Sequence, residues 1–295
     1  MNSFKVYTVK SWLFDAKEKL LESQRKNNLN TINVRLDAEI LLLHSLNKPR
    51  TFIYTDSDYI LSKQELVHLE NLLSRRLQSE PVAYIIGYKE FWSLELKVTP
   101  DVLIPRPETE LLVEQVLDKL PKDQSVNIAD IGTGSGAIAI SLAKERPNWT
   151  IHAVDLSIKA LNIAKENAVK NKIKNIIFYH ADLFSGFNNL DFKFDAIVSN
   201  PPYIDINDEY ITDLNKEELK YEPKMALVAD NQGMAVIEKL ITESRNYLVN
   251  NGLLFFEHGY QQKSLIENFL LQFSLFNIRL LKDLNNHNRI VIITY

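Results

Sequence analysis

Cysteine is absent from the 295 residues of this chain. That excludes disulfides, thiolate zinc sites and cysteine nucleophiles. Histidine is sparse: His44, His68, His152, His180, His258 and His287 show no H-x-x-x-H or related pairing, so no metal site is expected. Positive charge is not in excess, since 34 Lys and Arg against 38 Asp and Glu leave a net charge of -4. Such a balance is unfavourable for a protein whose main partner is a bare polyphosphate, and no direct nucleic-acid partner is expected. The segment Met1 to Phe14 mixes Lys5 and Lys10 with polar residues, which suits neither a signal peptide nor a membrane span. A cytoplasmic protein with no membrane partner is the inference. No G-x-x-x-x-G-K-[ST] occurs, so a phosphate-cradling P-loop is absent. A G-x-S-x-G nucleophile elbow is absent too, because Thr133 breaks the frame around Ser135. No internal repeat or low-complexity tract is present.

Glycine is scarce as well, and its placement is informative. Three of the eight fall within five positions, in Asp130-Ile131-Gly132-Thr133-Gly134-Ser135-Gly136. An apolar segment, Val126 to Ile131, comes before and an alanine-rich apolar stretch, Ala137 to Ala143, comes after. Strand, glycine turn and helix in that order open the nucleotide-binding part of a doubly wound sheet. Glycine lets a backbone approach a ligand and take positive φ. Gly132, Thr133, Gly134, Ser135 and Gly136 are therefore candidate cofactor contacts. The spacing is G-x-G-x-G, with Ala137 at the last position of the dinucleotide fingerprint. The next strand, Trp149 to Val154, ends at Asp155, where a carboxylate can accept both ribose hydroxyls. Helix capping is the structural alternative for Asp155; Ser157 reads as the cap of a helix reaching about Asn171. A third strand, Asn175 to His180, leads to Asp182 and Leu183. Asp182 can accept from an adenine amino group and the following N–H can donate to the ring, although Asp-Leu is also common in turns.

A fourth apolar strand, Phe194 to Ser199, runs into Asn200-Pro201-Pro202-Tyr203. An Asn, two prolines and an aromatic after a buried strand suit a holder for a planar nitrogen that is to be alkylated. The Asn200 oxygen and the Pro201 carbonyl can accept the two N–H bonds of an amide or amino group. Pro202 stiffens that carbonyl and removes a competing donor, and Tyr203 offers a flat face. A simple turn after a strand is the alternative. Three strand ends offering a small-ligand loop, a ribose acid and an adenine acid, and a fourth offering a nitrogen clamp, follow the order seen in S-adenosylmethionine-dependent methyltransferases.

The chain resembles the release factor glutamine methyltransferases, the HemK/PrmC family, over nearly its whole length. The resemblance is carried by Asp37 to Leu42, Glu80 to Gly87, Glu90 to Leu94 and Leu103-Ile104-Pro105-Arg106-Pro107-Glu108-Thr109-Glu110, then by the glycine loop and Asn200 to Ile204. Tyr221 to Pro223, Ala226 to Val228, Glu257 to Gly259 and Asn288 to Val291 complete it. It implies S-adenosyl-L-methionine as cofactor. The implied acceptor is the side-chain amide of the Gln in the Gly-Gly-Gln tip of class I peptide chain release factors. Asn200, Pro201, Pro202 and Tyr203 then serve as both catalytic and substrate-binding residues. Two rivals use the same motifs: an amino methyltransferase of DNA adenine or cytosine, and a non-catalytic S-adenosylmethionine sensor. No basic groove or target-recognition region supports the first, and an intact clamp has no use in the second.

The fold class expected is α/β, a doubly wound, mostly parallel, Rossmann-like sheet with a small N-terminal helical domain. Residues 1–80 read as helices, a bundle or a docking module for a protein substrate. Val9 to Gln24 and Leu36 to Leu46 are two of them, and Ser62-Lys63-Gln64-Glu65 is a capping box opening a third. Arg75-Arg76 reads as a solvated face. Residues 81–110 read as a β-hairpin linker, with Phe91 to Val98 as an alternating strand. Residues 111–295 read as the methyltransferase domain. It includes a helix from Gly233 to Asn250, a strand from Leu253 to Glu257, and a late hairpin whose reversed strand lies at the sheet edge. Arg106 is open to two readings, a structural ion-pair partner or, as the resemblance implies for its segment, a residue near cofactor and substrate. Glu257-His258 reads as packing behind the site, with a general base pair as the alternative.

Overall fold

The computed structural model describes residues 6–26, 33–205, 207, 219–273 and 277–295, so Met1 to Lys5 of the N-terminal segment lie outside it. Two compact units emerge. Of the described residues, the first contains 6–26, 33–87 and 219–221. Its longer helices are Val9–Lys26, Val34–Leu46 and Lys63–Leu77. Their apolar stripes meet in one buried cluster that includes Trp12, Ala16, Leu20, Leu41, Leu42, Leu69, Leu72 and Leu73. Ser62 caps the third helix reciprocally. Its hydroxyl accepts from Glu65 N at 3.3 Å, while the Glu65 carboxylate accepts from Ser62 N at 2.7 Å. The basic pair departs from the solvated reading. Arg76 has a side chain only 3% exposed, and its Nε donates to Asp37 Oδ2 at 2.7 Å. A guanidinium so far from water requires a carboxylate, and Asp37 lies 39 residues away, beyond the reach of a local charge pattern. Arg75 pairs with Glu80. This unit runs past residue 80 because Val82–Ile86 is one more helical turn, ended by Gly87 at φ 82, and its Ile85 joins the same cluster.

The second unit opens with a tight hairpin. Strands β1 (Tyr88–Phe91) and β2 (Leu94–Lys97) are joined by Trp92 and Ser93, with φ of 52 and 56. Two consecutive left-handed residues give a two-residue turn the twist of its strands, so the expected run from Phe91 to Val98 is broken there. A 3-10 turn, Pro107–Thr109, then leads into the helix Glu110–Lys119.

The main sheet has seven strands: β3 (Asn127–Ile131), β4 (Thr150–Asp155), β5 (Ile176–His180), β6 (Phe194–Ser199), β9 (Leu248–Glu257), β10 (Asn277–Lys282) and β11 (Asn288–Thr294). Their order is β10-β11-β9-β6-β3-β4-β5. A small parallel pair, β7 (Ile204–Asp205) and β8 (Val228–Ala229), stands apart. Side chains alternate across the sheet, as a period of two requires. Ile128, Ala196, Val198, Phe255 and Ile292 face one core with the helices Glu110–Lys119 and Ala137–Glu145. Ala129, Ile131, Ile197, Phe256 and Val291 face the other with Ala235–Glu243 and Lys263–Leu270. Helices on both faces make this the doubly wound fold.

Two details differ from expectation. The reversed strand is β11, which pairs antiparallel with both β9 and β10, so the edge strand is β10. The inner place goes to the strand with the unbroken apolar run, Ile290 to Ile293, all buried; β10 is only partly covered. The helix after Gly233 ends at Glu243, and β9 starts at Leu248 because that buried leucine pairs with Phe194.

Candidate active site

The chain winds from β3 outward to β4 and β5, then returns to place β6 on the other side of β3. A crevice opens at the carboxyl ends of strands where the winding reverses. The last residues of β3 and β6, Ile131 and Ser199, pair directly, and Ser199 Oγ donates to the Ile131 carbonyl at 2.8 Å. Gly132 and Asn200, one residue further on each strand, thus start the two loops that flank the crevice. A cavity of about 530 Å³ lies there. Gly132, Gly134, Asp155, Asp182, Leu183, Asn200 and Pro202 all line it.

The glycine loop is held from behind. Gly132 N and Thr133 N both donate to the Val154 carbonyl, at 2.9 and 3.0 Å. Thr133 is buried, and its Oγ1 donates to Asp130 Oδ2 at 2.6 Å. Asp130 is fully buried, which pushes its carboxyl up to about 7. The Ser135 carbonyl accepts from Asn167 Nδ2 at 2.9 Å, and the same Asn167 amide grips the Lys97 backbone at the end of β2. Gly136 caps the next helix at φ 82, where a Cβ would sit 2.8 Å from Ile140 Cδ1. Thr133, Ser135 and Gly136 are therefore not on the cavity wall; they shape the loop that is. Asp155 is on the wall. Its Oδ2 accepts from Gly134 N and its Oδ1 from Ser157 N, each at 2.8 Å. Burial raises its pKa. Ser157 caps the following helix, accepting from Ala160 N, so Asp155 is not that cap. Leu183, just beyond β5, adopts φ 45, an uncommon conformation for a branched side chain.

Beyond β6 the four motif residues divide. Asn200 and Pro202 line the cavity, while Pro201 is buried and Tyr203 lies behind the wall. Asn200 Nδ2 donates to Thr109 Oγ1 at 3.1 Å. Thr109 Oγ1 donates to Glu257 Oε2 at 2.6 Å, and the Tyr203 hydroxyl donates to Glu257 Oε1 at 3.0 Å. Glu257 is 1% exposed, and burial raises its pKa. Burial and the adjacent Glu257 carboxylate also hold the Tyr203 phenol in its neutral form, with its pKa raised. His258 is buried, which pushes its pKa down to about 4, and its Nδ1 meets the Gly259 carbonyl. It is built into the strand end, as the packing reading of Glu257-His258 expects.

Two more segments close the cavity. Pro100 to Leu103 form one wall and Pro223, Met225 and Ala226 another. Glu222 ties them together, since its buried carboxylate accepts from Ile104 N at 3.1 Å and pairs with Arg106. Arg106 thus makes a structural ion pair, one of the two readings open to it. Among the described residues the charged lining consists of Asp101, Asp155, Asp182 and Asp230 against Lys239. Four carboxylates facing one ammonium favour a cationic ligand and disfavour a polyphosphate. Among the described residues no group of His, Asp and Glu could hold a metal ion, and no helix is long and apolar enough to cross a membrane.

Known proteins resemble this chain along most of its length. Residues 24–87 match the PrmC N-terminal domain, and residues 107–232 match the methyltransferase small domain. The release factor glutamine methyltransferase of Escherichia coli (strain K12) is 41% identical over 284 residues, 96% of this chain and 98% of that one. That of Coxiella burnetii is 50% identical over 228 residues, 77% of this chain and 80% of that one. The chain belongs to the release factor glutamine methyltransferase family. A methyltransferase of known structure from Pyrococcus furiosus shares the fold, with a TM-score of 0.51 and 16% identity, covering 76% of this chain and 98% of that one.

In this family member, sequence reasoning missed Thr109, Glu222 and the role of Glu257 as a shared acceptor. The signal was present but indirect. All three fall in segments that carried the family resemblance, and none belongs to a motif with a chemistry of its own.

Proposed function

We propose that this enzyme transfers a methyl group from S-adenosyl-L-methionine to the side-chain amide nitrogen of the Gln in the Gly-Gly-Gln motif of class I release factors. One observation carries the reading. Asn200 lines the same cavity as Gly132, Gly134 and Asp155, and its Nδ2 is engaged by Thr109, which leaves Oδ1 as the acceptor.

The cofactor fits the residues present. A Cβ built on Gly132 meets nothing within 4 Å, and one on Gly134 meets only the Gly132 carbonyl at 4.0 Å, so the loop is open on its ligand side. Asp155 uses two of its roughly four lone-pair sites on the backbone and keeps the others for ribose hydroxyls. Gly132 and Gly134 would line the methionine portion, with Thr133, Ser135 and Gly136 shaping the loop behind them, and Asp182 with Leu183 would hold the adenine. The cavity volume lies within the roughly 300–1,000 Å³ of small-ligand sites, and its acidic lining suits a sulfonium. Replacing Asp155 with Ala is expected to weaken cofactor binding by about 1.5–3 kcal/mol, the range for a hydrogen bond to a charged group. Calorimetry returning wild-type affinity would remove Asp155 from the site.

When bound, the cofactor supplies an electrophilic methyl group. The chain supplies orientation. An amide nitrogen is a poor nucleophile because its lone pair is delocalised into the carbonyl, as in the peptide bond. Accepting its two N–H bonds at Asn200 Oδ1 and the Pro201 carbonyl aims the nitrogen and favours loss of planarity. The same two oxygens stabilise the positive charge that grows on nitrogen. Positioning of this kind can remove roughly 7–11 kcal/mol of barrier. No strong base is needed, since the alkylated nitrogen is acidic and releases its proton to water.

A small clamp cannot choose one glutamine among many, so recognition of a folded release factor comes from contacts away from the chemistry. The helical unit is the surface we assign to it. Incubating the enzyme with labelled cofactor and cell extract tests the class of substrate. Label is expected in protein; label in nucleic acid with none in protein would support an amino methyltransferase of DNA instead.

A further inference from the structure

We propose that Thr109 and Glu257 are positioning residues that fix which end of the Asn200 carboxamide faces the acceptor nitrogen. The inference rests on the reading that Asn200 receives that nitrogen. A clamp Asn has a problem that its sequence does not solve. Its oxygen and nitrogen ends are nearly the same shape, and rotation by half a turn exchanges them. With the oxygen inward the group accepts an N–H from the substrate amide. With the nitrogen inward it opposes a donor with a donor.

The hydrogen-bond chain removes this ambiguity by counting protons. Tyr203 donates its one hydroxyl proton to Glu257 Oε1, and Thr109 donates its one to Glu257 Oε2. Thr109 Oγ1 then has only lone pairs to offer Asn200. It takes the N–H of Nδ2 at 3.1 Å, and Oδ1 is directed to the other side. The chain is dry: Thr109 is 4% and Glu257 1% exposed, so water is poorly placed to supply an alternative proton. A carboxylate at position 257 is essential to the logic, because it is an acceptor at both oxygens. Burial pushes the Glu257 carboxyl toward its neutral form, and Glu108 adds to this; the two hydroxyl donors, Thr109 and Tyr203, and Arg289 of β11 favour the ionised form. Three distant segments meet in this chain. Thr109 lies in the turn before the helix Glu110–Lys119, Glu257 at the end of β9 and Asn200 at the end of β6.

The test compares steady-state methylation of a release factor by five full-length enzymes, the unsubstituted one included, with cofactor affinity measured by calorimetry. Thr109→Val keeps the shape and removes the hydroxyl. Its kcat is expected to fall about 10–100-fold, the range seen when the partner orienting a reacting group is lost, with cofactor affinity unchanged. Thr109→Ser restores the hydroxyl and is expected to recover most of the rate. Glu257→Met removes both acceptor oxygens, freeing the Thr109 proton to turn toward Asn200, and is expected to match Thr109→Val. The double variant is expected to be no worse than either single one, since both break one chain. Wild-type kcat in Thr109→Val, or equal loss in Thr109→Ser, overturns the proposal while leaving the functional reading intact. If Thr109→Val fails to bind cofactor, the decision passes to Glu257→Met, where wild-type kcat overturns it. If the unsubstituted enzyme does not methylate release factor, both readings fall together.

Discussion

Asn200→Ala is expected to lower the rate of methyl transfer by about 10²–10³ while leaving cofactor affinity close to that of the wild type. The magnitude is that of losing one preorganised group that stabilises charge developing in the transition state. The separation of effects follows from geometry. Gly132, Gly134 and Asp155 reach the cavity from β3 and β4, whereas Asn200 reaches it from β6. The Asn200 side chain is tied to Thr109, not to the glycine loop. Single-turnover methylation measured with saturating cofactor isolates the chemical step, and calorimetry gives the affinity. A mutant that turns over at the wild-type rate would show that the amide nitrogen is held elsewhere.

Gly233→Ala is expected to be the most damaging single methyl group in this part of the fold. Gly233 has φ 77, and a Cβ there would sit 2.0 Å from the Tyr203 carbonyl oxygen. That oxygen belongs to backbone and cannot swing aside. It is also the acceptor of Gln262 Nε2 at 2.8 Å, and Gln262 in turn accepts from Gly259 N at 2.9 Å. Asn231 and Gln232, the two residues before, are left-handed as well, so the turn has little freedom to retreat. Left-handed backbone costs an alanine roughly 1–2 kcal/mol, and overpacking typically adds about 1–3 kcal/mol. At about 2–4 °C per kcal/mol for a unit of this size, a drop in Tm of roughly 4–20 °C is expected. Turnover should fall further than stability accounts for, because the displaced carbonyl is that of the last motif residue. Thermal unfolding and initial rates on the same preparation check both. An unchanged Tm would mean that Gly233 does not pack on Tyr203.

The cofactor side of the site was legible because its signals are local. Three glycines within five residues and an Asp at the end of the next strand are patterns of neighbours in the chain, and the residues they mark do line the cavity or shape the loop that does. The clamp was half legible. Asn200 and Pro202 stand on the wall, while Tyr203 is not among the lining residues and donates its hydroxyl to Glu257. What fixes the clamp is distant in sequence: Thr109 lies 91 residues before Asn200 and 148 before Glu257. No periodicity or spacing encodes such a meeting. Arg76 shows the same limit in the helical unit, where a charge doublet looks solvated until Asp37 is folded against it. The sheet order shows it too. The hairpin of β10 and β11 was readable from its short connection, but which of the two strands enters the sheet depends on which one can be buried on both faces.

The acceptor proposed for this enzyme is one glutamine amide of a release factor. Mass spectrometry of a class I release factor after incubation with enzyme and S-adenosyl-L-methionine tests it most directly. One added methyl group is expected, located on the Gln of Gly-Gly-Gln, and none when that Gln is replaced. An unmodified release factor alongside methylated DNA adenine or cytosine would contradict it.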